Sequence, residues 1–288
     1  MKNVAKAINL IYAHDKGLYG RNVTVAIVDS GIYPHEDFRG RDGLRIVESV
    51  DMVNNINMFY DDCGHGTHVA GILGGAGKEC TGVAPLCNFV SVKVLDKQGN
   101  GKLANVIRGL EWIKNNYRIY NIRIVNISVG TPVFKNYDEE SELIQAVEQL
   151  WNLGMIVTAA AGNNGPKTGT IGAPGISRKV ITVGASDSNN KYSGRGPTKS
   201  CIMKPDIVAP GSNIISCSNI RGKRYSVRSG TSMSTPVVSG AIALLLSKYP
   251  EMTNREVKIR LKNCAVDMGL PHEIQGWGFL DIQKLLKE

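Results

Sequence analysis

"FVSVKVLDKQGNGKLANVIRGLEWIKNNYRIYNIRIVNISV", residues 89–129, sets two apolar β-branched runs on either side of a helical pattern. FVSVKVL (89–95) and IRIVNISV (122–129) carry the Val and Ile that suit strands, and they are apolar on both faces, as buried parallel strands are. Between them, Leu103, Val106, Ile107, Leu110 and Ile113 recur at the spacing of one helix face. A strand, a helix and another strand form a crossover unit, which lays the two strands parallel in one sheet.

The same alternation extends in both directions. VTVAIVD (23–29), LRIVESV (44–50), MIVTAAA (155–161), VITVGA (180–185) and DIVA (206–209) read as further strands. SELIQAVEQLWNLG (141–154) repeats the helical pattern, with Gly154 as its stop. No Pro/Gly/Ser linker divides the chain and no repeat is visible. The expectation is one doubly wound α/β domain over residues 1–288, a mostly parallel central sheet flanked by helices, with an N-terminal arm over about 1–20. In such sheets functional residues gather at the carboxyl ends of the strands.

Composition narrows the class. The chain has 288 residues, 42% hydrophobic and 20% charged, as an ordinary globular protein does. No apolar run reaches membrane-spanning length, and the N-terminus lacks the apolar core and cleavage site of a signal peptide. A cytoplasmic location is expected, or a secreted one if a leader has been removed. Six cysteines include no C-x-x-C pair, so zinc has no spacing support and free thiols are expected. The net charge of +9 suits acidic partners. Its densest run, RGKRYSVR (221–228), reads as a solvated hairpin or edge strand. No stacking aromatics interleave with it, so no nucleic-acid partner is expected.

Four residues at strand ends or helix starts carry chemistry. Asp29 closes the first strong strand. His65 lies between Gly64 and Gly66 at the start of a small-residue helix. Asn163 follows the strand that ends in AAAG, where Gly and Asn equally suit a turn. Ser232 sits in SGTSMSTP (229–236), at the mouth of an apolar helix. That run also suits helix capping, with Pro236 in the first turn. His65 and His68 could be a metal pair, but no carboxylate lies between them and the H-E-x-x-H pattern is absent, so His68 is expected to pack in its helix. Together the four supply an orienting acid, a base, an amide donor and a nucleophile. The order Asp, His, Ser along the chain is one of the known triad orders.

These motifs resemble those of the subtilisin family of serine peptidases, the subtilases (peptidase family S8). VAIVDSGI (25–32) resembles the family's aspartate motif, GHGTHVAG (64–71) its histidine motif and SGTSMSTP its serine motif. AAAGNNG (159–165) resembles the segment bearing the oxyanion asparagine. The similarity runs from about residue 10 to 285. Residues 193–211 are more similar to bacterial members of the intracellular or AprX-like kind than to the secreted enzymes.

The resemblance implies a serine endopeptidase acting through an acyl-enzyme, with Asp29, His65 and Ser232 as triad and Asn163 in the oxyanion hole. It implies a peptide or protein substrate bound as an extended strand between Gly99, Asn100 and Gly101 on one side and Ser128, Val129 and Gly130 on the other. Gly130, Ala160 and Gly162 would wall the first specificity pocket, with Gly172 at its base. A role in maturing a precursor or leader peptide fits a short member. The loop after the histidine helix, GILGGAGKECTGVAP (71–85), offers Glu79 as its only carboxylate. The strong calcium site of secreted members is therefore expected to be absent, no metal or other cofactor is required, and a weaker calcium or sodium site stays open. No inhibitory prodomain is visible, which leaves room for a separately encoded propeptide or inhibitor. Two rivals stand beside this reading: a catalytically silent subtilase-fold binding or regulatory protein, and an unrelated hydrolase or dinucleotide-binding protein on a similar sheet. GILGGAG (71–77) fails the dinucleotide test because it does not directly follow a strand.

Overall fold

The computed structural model describes residues 1–41, 43–130, 141–187 and 192–287. In chain order the strands are β1 (Thr24–Asp29), the short hairpin β2 (Arg39–Gly40) and β3 (Gly43–Leu44), β4 (Ile46–Asp51), β5 (Asn88–Lys93), β6 (Ile122–Ile127), β7 (Ile156–Ala160), β8 (Ile181–Ala185), β9 (Ile207–Ala209), and a second hairpin, β10 (Ile214–Cys217) and β11 (Tyr225–Arg228). The helices are α1 (Lys2–Ala7), α2 (Ile11–Asp15), α3 (His65–Gly74), α4 (Leu103–Asn116), α5 (Glu142–Asn152), α6 (Thr231–Lys248), α7 (Asn254–Cys264), α8 (His272–Gln275) and α9 (Ile282–Leu286).

Seven strands make one sheet in the order β4-β5-β1-β6-β7-β8-β9. Every pairing within it is parallel. The seven apolar runs of the sequence supply these seven strands. The chain leaves β1 for the β4 edge, returns to β5, and then crosses β1 to reach β6. The direction of winding reverses around β1 and β6, and loops that part there leave a crevice at the carboxyl ends.

Alternation along each strand sends side chains to two separate cores. Val25 and Ile27 of β1, with Ile124, Ile156 and Val183, pack against α3 and α6. Ala26 and Val28, with Val92, Val125 and Val157, pack against Leu110, Ile113 and Val147 of α4 and α5. Each fully buried Val, Leu or Ile contributes roughly 1.5–3 kcal/mol relative to exposure. Helix α6 is buried nearly all round and runs beneath β6, β7, β8 and β9. Residues 1–20, expected as an arm, contain two short helices, and Val4, Ile8, Leu10 and Ala13 of this stretch join the α3–α6 core. The basic run 221–228 supplies part of the turn and the second strand of a hairpin, its β11 paired antiparallel with β10.

The helix after SGTSMSTP differs from its sequence reading in one respect. Its N-cap is Gly230, and none of its Ser or Thr side chains caps it. Pro236 therefore falls in the second turn, not the first. Having no N–H, it cannot bond the Ser232 carbonyl four residues back. Thr231 is instead held by a side chain from elsewhere in the fold, as described next.

Candidate active site

Strand β1 delivers Asp29 to the carboxyl edge of the sheet, where it is fully buried. One carboxylate oxygen, Oδ1, accepts from the Ser30 N–H at 2.7 Å and pairs with His65 Nδ1 at 2.8 Å. That contact fixes the tautomer: Nδ1–H donates to the carboxylate, and Nε2 is left to accept a proton. Burial works against a charged imidazole at His65, but the charge and hydrogen bond of Asp29 outweigh it and raise the pKa above the ordinary value. Arg228 opposes that rise.

His65 opens α3, and the start of that helix is pinned by Asp61. Asp61 Oδ1 accepts from Ser30 Oγ and from the N–H groups of Cys63 and Gly64. Its Oδ2 accepts from the Thr67 N–H at 2.9 Å and the Thr67 hydroxyl at 2.6 Å. Ser30 Oγ in turn accepts from the Gly66 N–H at 2.9 Å. The end of β1 and the start of α3 are thus stitched together by one carboxylate, which aligns Asp29 with His65. A Cβ at Gly66 would strike the Gly31 carbonyl, so glycine there permits the approach. Asp61 escaped the sequence reading because a lone Asp before a helix resembles any cap. His68 is packed, as expected: its Nε2 meets the carbonyls of Ile214 and Ser226, and burial lowers its pKa to about 4.

Ser232 is the second residue of α6 and Asn163 leaves β7 opposite it. Asn163 Oδ1 accepts from the Thr231 N–H at 3.0 Å and the Thr231 hydroxyl at 3.1 Å. Two donors at that atom identify it as the oxygen, so the Nδ2 amide points away with its protons free. A Cβ on Gly230, at φ +150°, would press on that Nδ2 at 3.2 Å. The Ser232 N–H belongs to the first turn, where no intrahelical partner exists. Asn163 therefore caps α6 in place of the Ser and Thr of the run, while Ser234 and Thr235 bond inward to the carbonyls of Ala209 and Thr231. The Ser232 hydroxyl donates to the Ser128 carbonyl at 2.7 Å.

An open cleft of about 570 Å³ joins these parts. His65, Asn163 and Ser232 line it together with Gly99, Asn100, Gly101, Ser128, Val129 and Gly130. Of the residues named for the specificity pocket, Ala160, Gly162 and Gly172 are not on the lining, and Ala173 and Pro174 are. The 99–101 segment is shaped by Asp96, whose carboxylate holds the N–H groups of Gln98 and Asn100. Cys63 and Arg228 also line the cleft. All six cysteines are free.

The loop after α3 carries one carboxylate, Glu79. Glu79 is exposed and points toward Arg224. The buried carboxylate beneath the loop, Asp37, takes the Tyr225 hydroxyl at 3.1 Å and lies near the Cys217 thiol at 3.7 Å. The buried Arg45 guanidinium donates to the carbonyls of Asp37, Gly74 and Cys87. The side chains beneath the loop are thus a guanidinium, a thiol and one carboxylate, whereas a calcium ion takes six to eight oxygens. Among the described residues, His35, Asp37 and Cys217 are the one close group of three metal-ligating types. His35 is already engaged there, accepting from the Asp37 N–H and meeting the Arg224 carbonyl.

Residues 20–278 match the model of the Subtilase family. Serine protease AprX of Bacillus subtilis is 44% identical over 277 residues, which is 85% of this chain and 62% of that protein's length. Subtilisin of Bacillus pumilus is 37% identical over 275 residues, covering 94% of this chain and 93% of the relative. A cold-adapted subtilisin-like serine proteinase has a similar crystal structure, with a TM-score of 0.76, 30% identity, and 92% of this chain and 90% of that chain covered. No helix among the described residues is long and apolar enough to cross a membrane.

Proposed function

Because the chain belongs to the subtilase family, we propose that it is a serine endopeptidase working through Asp29, His65 and Ser232. The observation that carries this reading is the 2.8 Å contact of His65 Nδ1 with buried Asp29, in one cleft with Ser232. A serine hydroxyl is a weak nucleophile at neutral pH, so His65 Nε2 takes its proton during attack on the peptide carbonyl. His65 then gives that proton to the leaving amine, and water repeats the sequence on the acyl-enzyme. Asp29 stabilises the imidazolium and keeps the tautomer. The oxyanion is met by the free Asn163 Nδ2 and the Ser232 N–H.

The bond from Ser232 to the Ser128 carbonyl suggests how substrate starts the reaction. A peptide laid along Ser128–Gly130 as an added strand offers its own N–H to that carbonyl. The Ser232 hydroxyl is then released and can turn to His65. The small side chains around the cleft, with Ala173 and Gly130 at one end, suit an uncharged substrate side chain there. Calcium has no part in this scheme. The natural substrate is most simply a precursor or leader segment presented in extended form.

The same serine contact gives the silent reading its one support, since the hydroxyl does not bond His65. A fluorophosphonate probe decides between them. Labelling of Ser232, lost in Ser232→Ala together with all peptide hydrolysis, is the expected result. A folded wild type that neither labels nor cleaves makes the protein a silent member of its family.

A further inference from the structure

Arg228 lies at the end of β11, four residues before the nucleophile, and the peptidase scheme above gives it no task. Among the described residues that line the cleft it is the one Lys, Arg, Asp or Glu side chain. It is half-buried and donates from Nη2 to the Cys63 carbonyl at 3.3 Å. No ion pair among the described residues includes it. A guanidinium has five N–H donors, so one long bond leaves most of its fork unused. Its anchor, Cys63, stands two residues before His65, the base that protonates the leaving amine. The residues that follow the scissile bond must leave past His65. Ser128–Gly130, by contrast, hold the acyl half of the substrate.

We propose that Arg228 selects for a carboxylate on the leaving-group side of the scissile bond, borne by an acidic side chain or by the free end of a chain cut close to its terminus. The inference rests on the peptidase reading and adds to it which peptides are preferred. The guanidinium fork matches a carboxylate in a bidentate way, and the cleft lining supplies no competing acid. A basic residue in the same place would meet both Arg228 and, during turnover, the imidazolium of His65. The site thus disfavours the wrong charge as well as favouring the right one.

The test uses internally quenched peptides that differ only in the two residues after the scissile bond, Asp, Ala or Lys, all amidated. Wild type, Arg228→Lys, Arg228→Gln and Arg228→Glu are compared by the Asp-to-Lys ratio of kcat/KM. For wild type a ratio of about tenfold is expected, the size of one partly screened charge pair, and it shrinks toward unity in 1 M salt. Arg228→Lys keeps a preference for Asp, Arg228→Gln removes it, and Arg228→Glu reverses it. Fluorophosphonate labelling shows which variants are folded; if the Gln and Glu forms are not, the wild-type ratio and its salt dependence decide alone. A second arm compares Ala-Ala leaving groups ending in a free carboxylate or an amide. Preference for the free acid alone assigns the chain end, and preference for Asp in amidated peptides assigns the side chain. A wild-type ratio near one in both arms, or a ratio untouched by Arg228→Glu, overturns the inference while leaving the peptidase reading intact. A wild type that cleaves none of these peptides overturns both.

Discussion

At the residue scale, His65 and Asn163 each use one side-chain atom to hold position and leave another unbonded. Asn163 spends its oxygen on Thr231 and keeps its amide unbonded, the atom that the proposed mechanism turns to the oxyanion. Asn163→Ala removes both roles, so turnover is expected to fall by about 10²–10³, a magnitude that comes from a subtilisin, with a smaller change in KM. Asn163→Asp keeps the cap but supplies no donor, and steady-state kinetics should place it near the Ala form. His65, raised in pKa by Asp29, must be neutral to act. The acid limb of the kcat/KM profile is therefore expected to have its midpoint above about 6.5. Arg228 holds that midpoint down, against Asp29 and Asp61. Arg228→Gln should move it upward, and a midpoint unmoved or lowered would show that Arg228 exerts no field on His65. Cys63 lines the cleft beside Gly99, which makes it the thiol nearest the chemistry. Mercurials are expected to inhibit the wild type and not Cys63→Ser, as a residual-activity assay would read. Asp29, His65 and Ser232 were legible in the sequence because each closes a strand or opens a helix. Asp61 and Arg228 were not, since their roles depend on which loops the fold brings together.

At the scale of elements, the central strands were legible to within a residue or two because burial on both faces writes a mostly apolar, β-branched run. The order of those strands was not, for nothing in a run of Val and Ile says which neighbour it takes. Short helices were harder still: α1 and α2 are six and five residues long and owe their form to docking, not to propensity. Helix α7 carries a full capping box, Thr253 with Glu256, whose T-x-x-E spacing is written in the chain. The start of α3 depends on Asp61, which takes five hydrogen bonds. Asp61→Ala orphans several buried donors at once, at about 1–3 kcal/mol for each one left unmet. Denaturant unfolding should show a loss of at least about 2 kcal/mol, with kcat reduced because His65 shifts from Asp29. A variant with unchanged stability would mean that water replaces the carboxylate.

For the whole molecule, two balances of charge can be tested by changing the solvent. We propose that no structural calcium sits at the loop after α3, beneath which Arg45 bonds the Asp37 carbonyl, so EDTA is expected to shift the Tm by no more than about a degree. A large fall that calcium restores would reveal a cation site outside this loop. On the far side of the fold, Lys204 and Lys258 share Asp206, and Lys258 lies between Trp151 and Trp277. Burial lowers the Lys258 pKa to about 8, although Asp206 partly offsets it. Between pH 8 and about 10.5 the unfolded chain then holds a proton that the folded one has released, so this group's contribution to stability rises with pH across that window. The rise is at most about 3 kcal/mol and should vanish in Lys258→Met, as the difference between the two urea-denaturation profiles over pH would show.

His65, the proposed base, rides on α3 and Ser232, the proposed nucleophile, on α6, and the two helices pack against each other inside one core, with Gly240 against the Leu73 carbonyl. Neither helix belongs to the part of a protein that opens easily, since both are walled by fully buried side chains. The amide protons of residues 237–246 should accordingly exchange with deuterated solvent only as often as the entire chain comes apart. Heating then offers no intermediate in which the catalyst has failed while its scaffold survives. Inactivation and loss of compactness should fall at one temperature, and a surviving fraction of activity becomes a direct count of folded molecules.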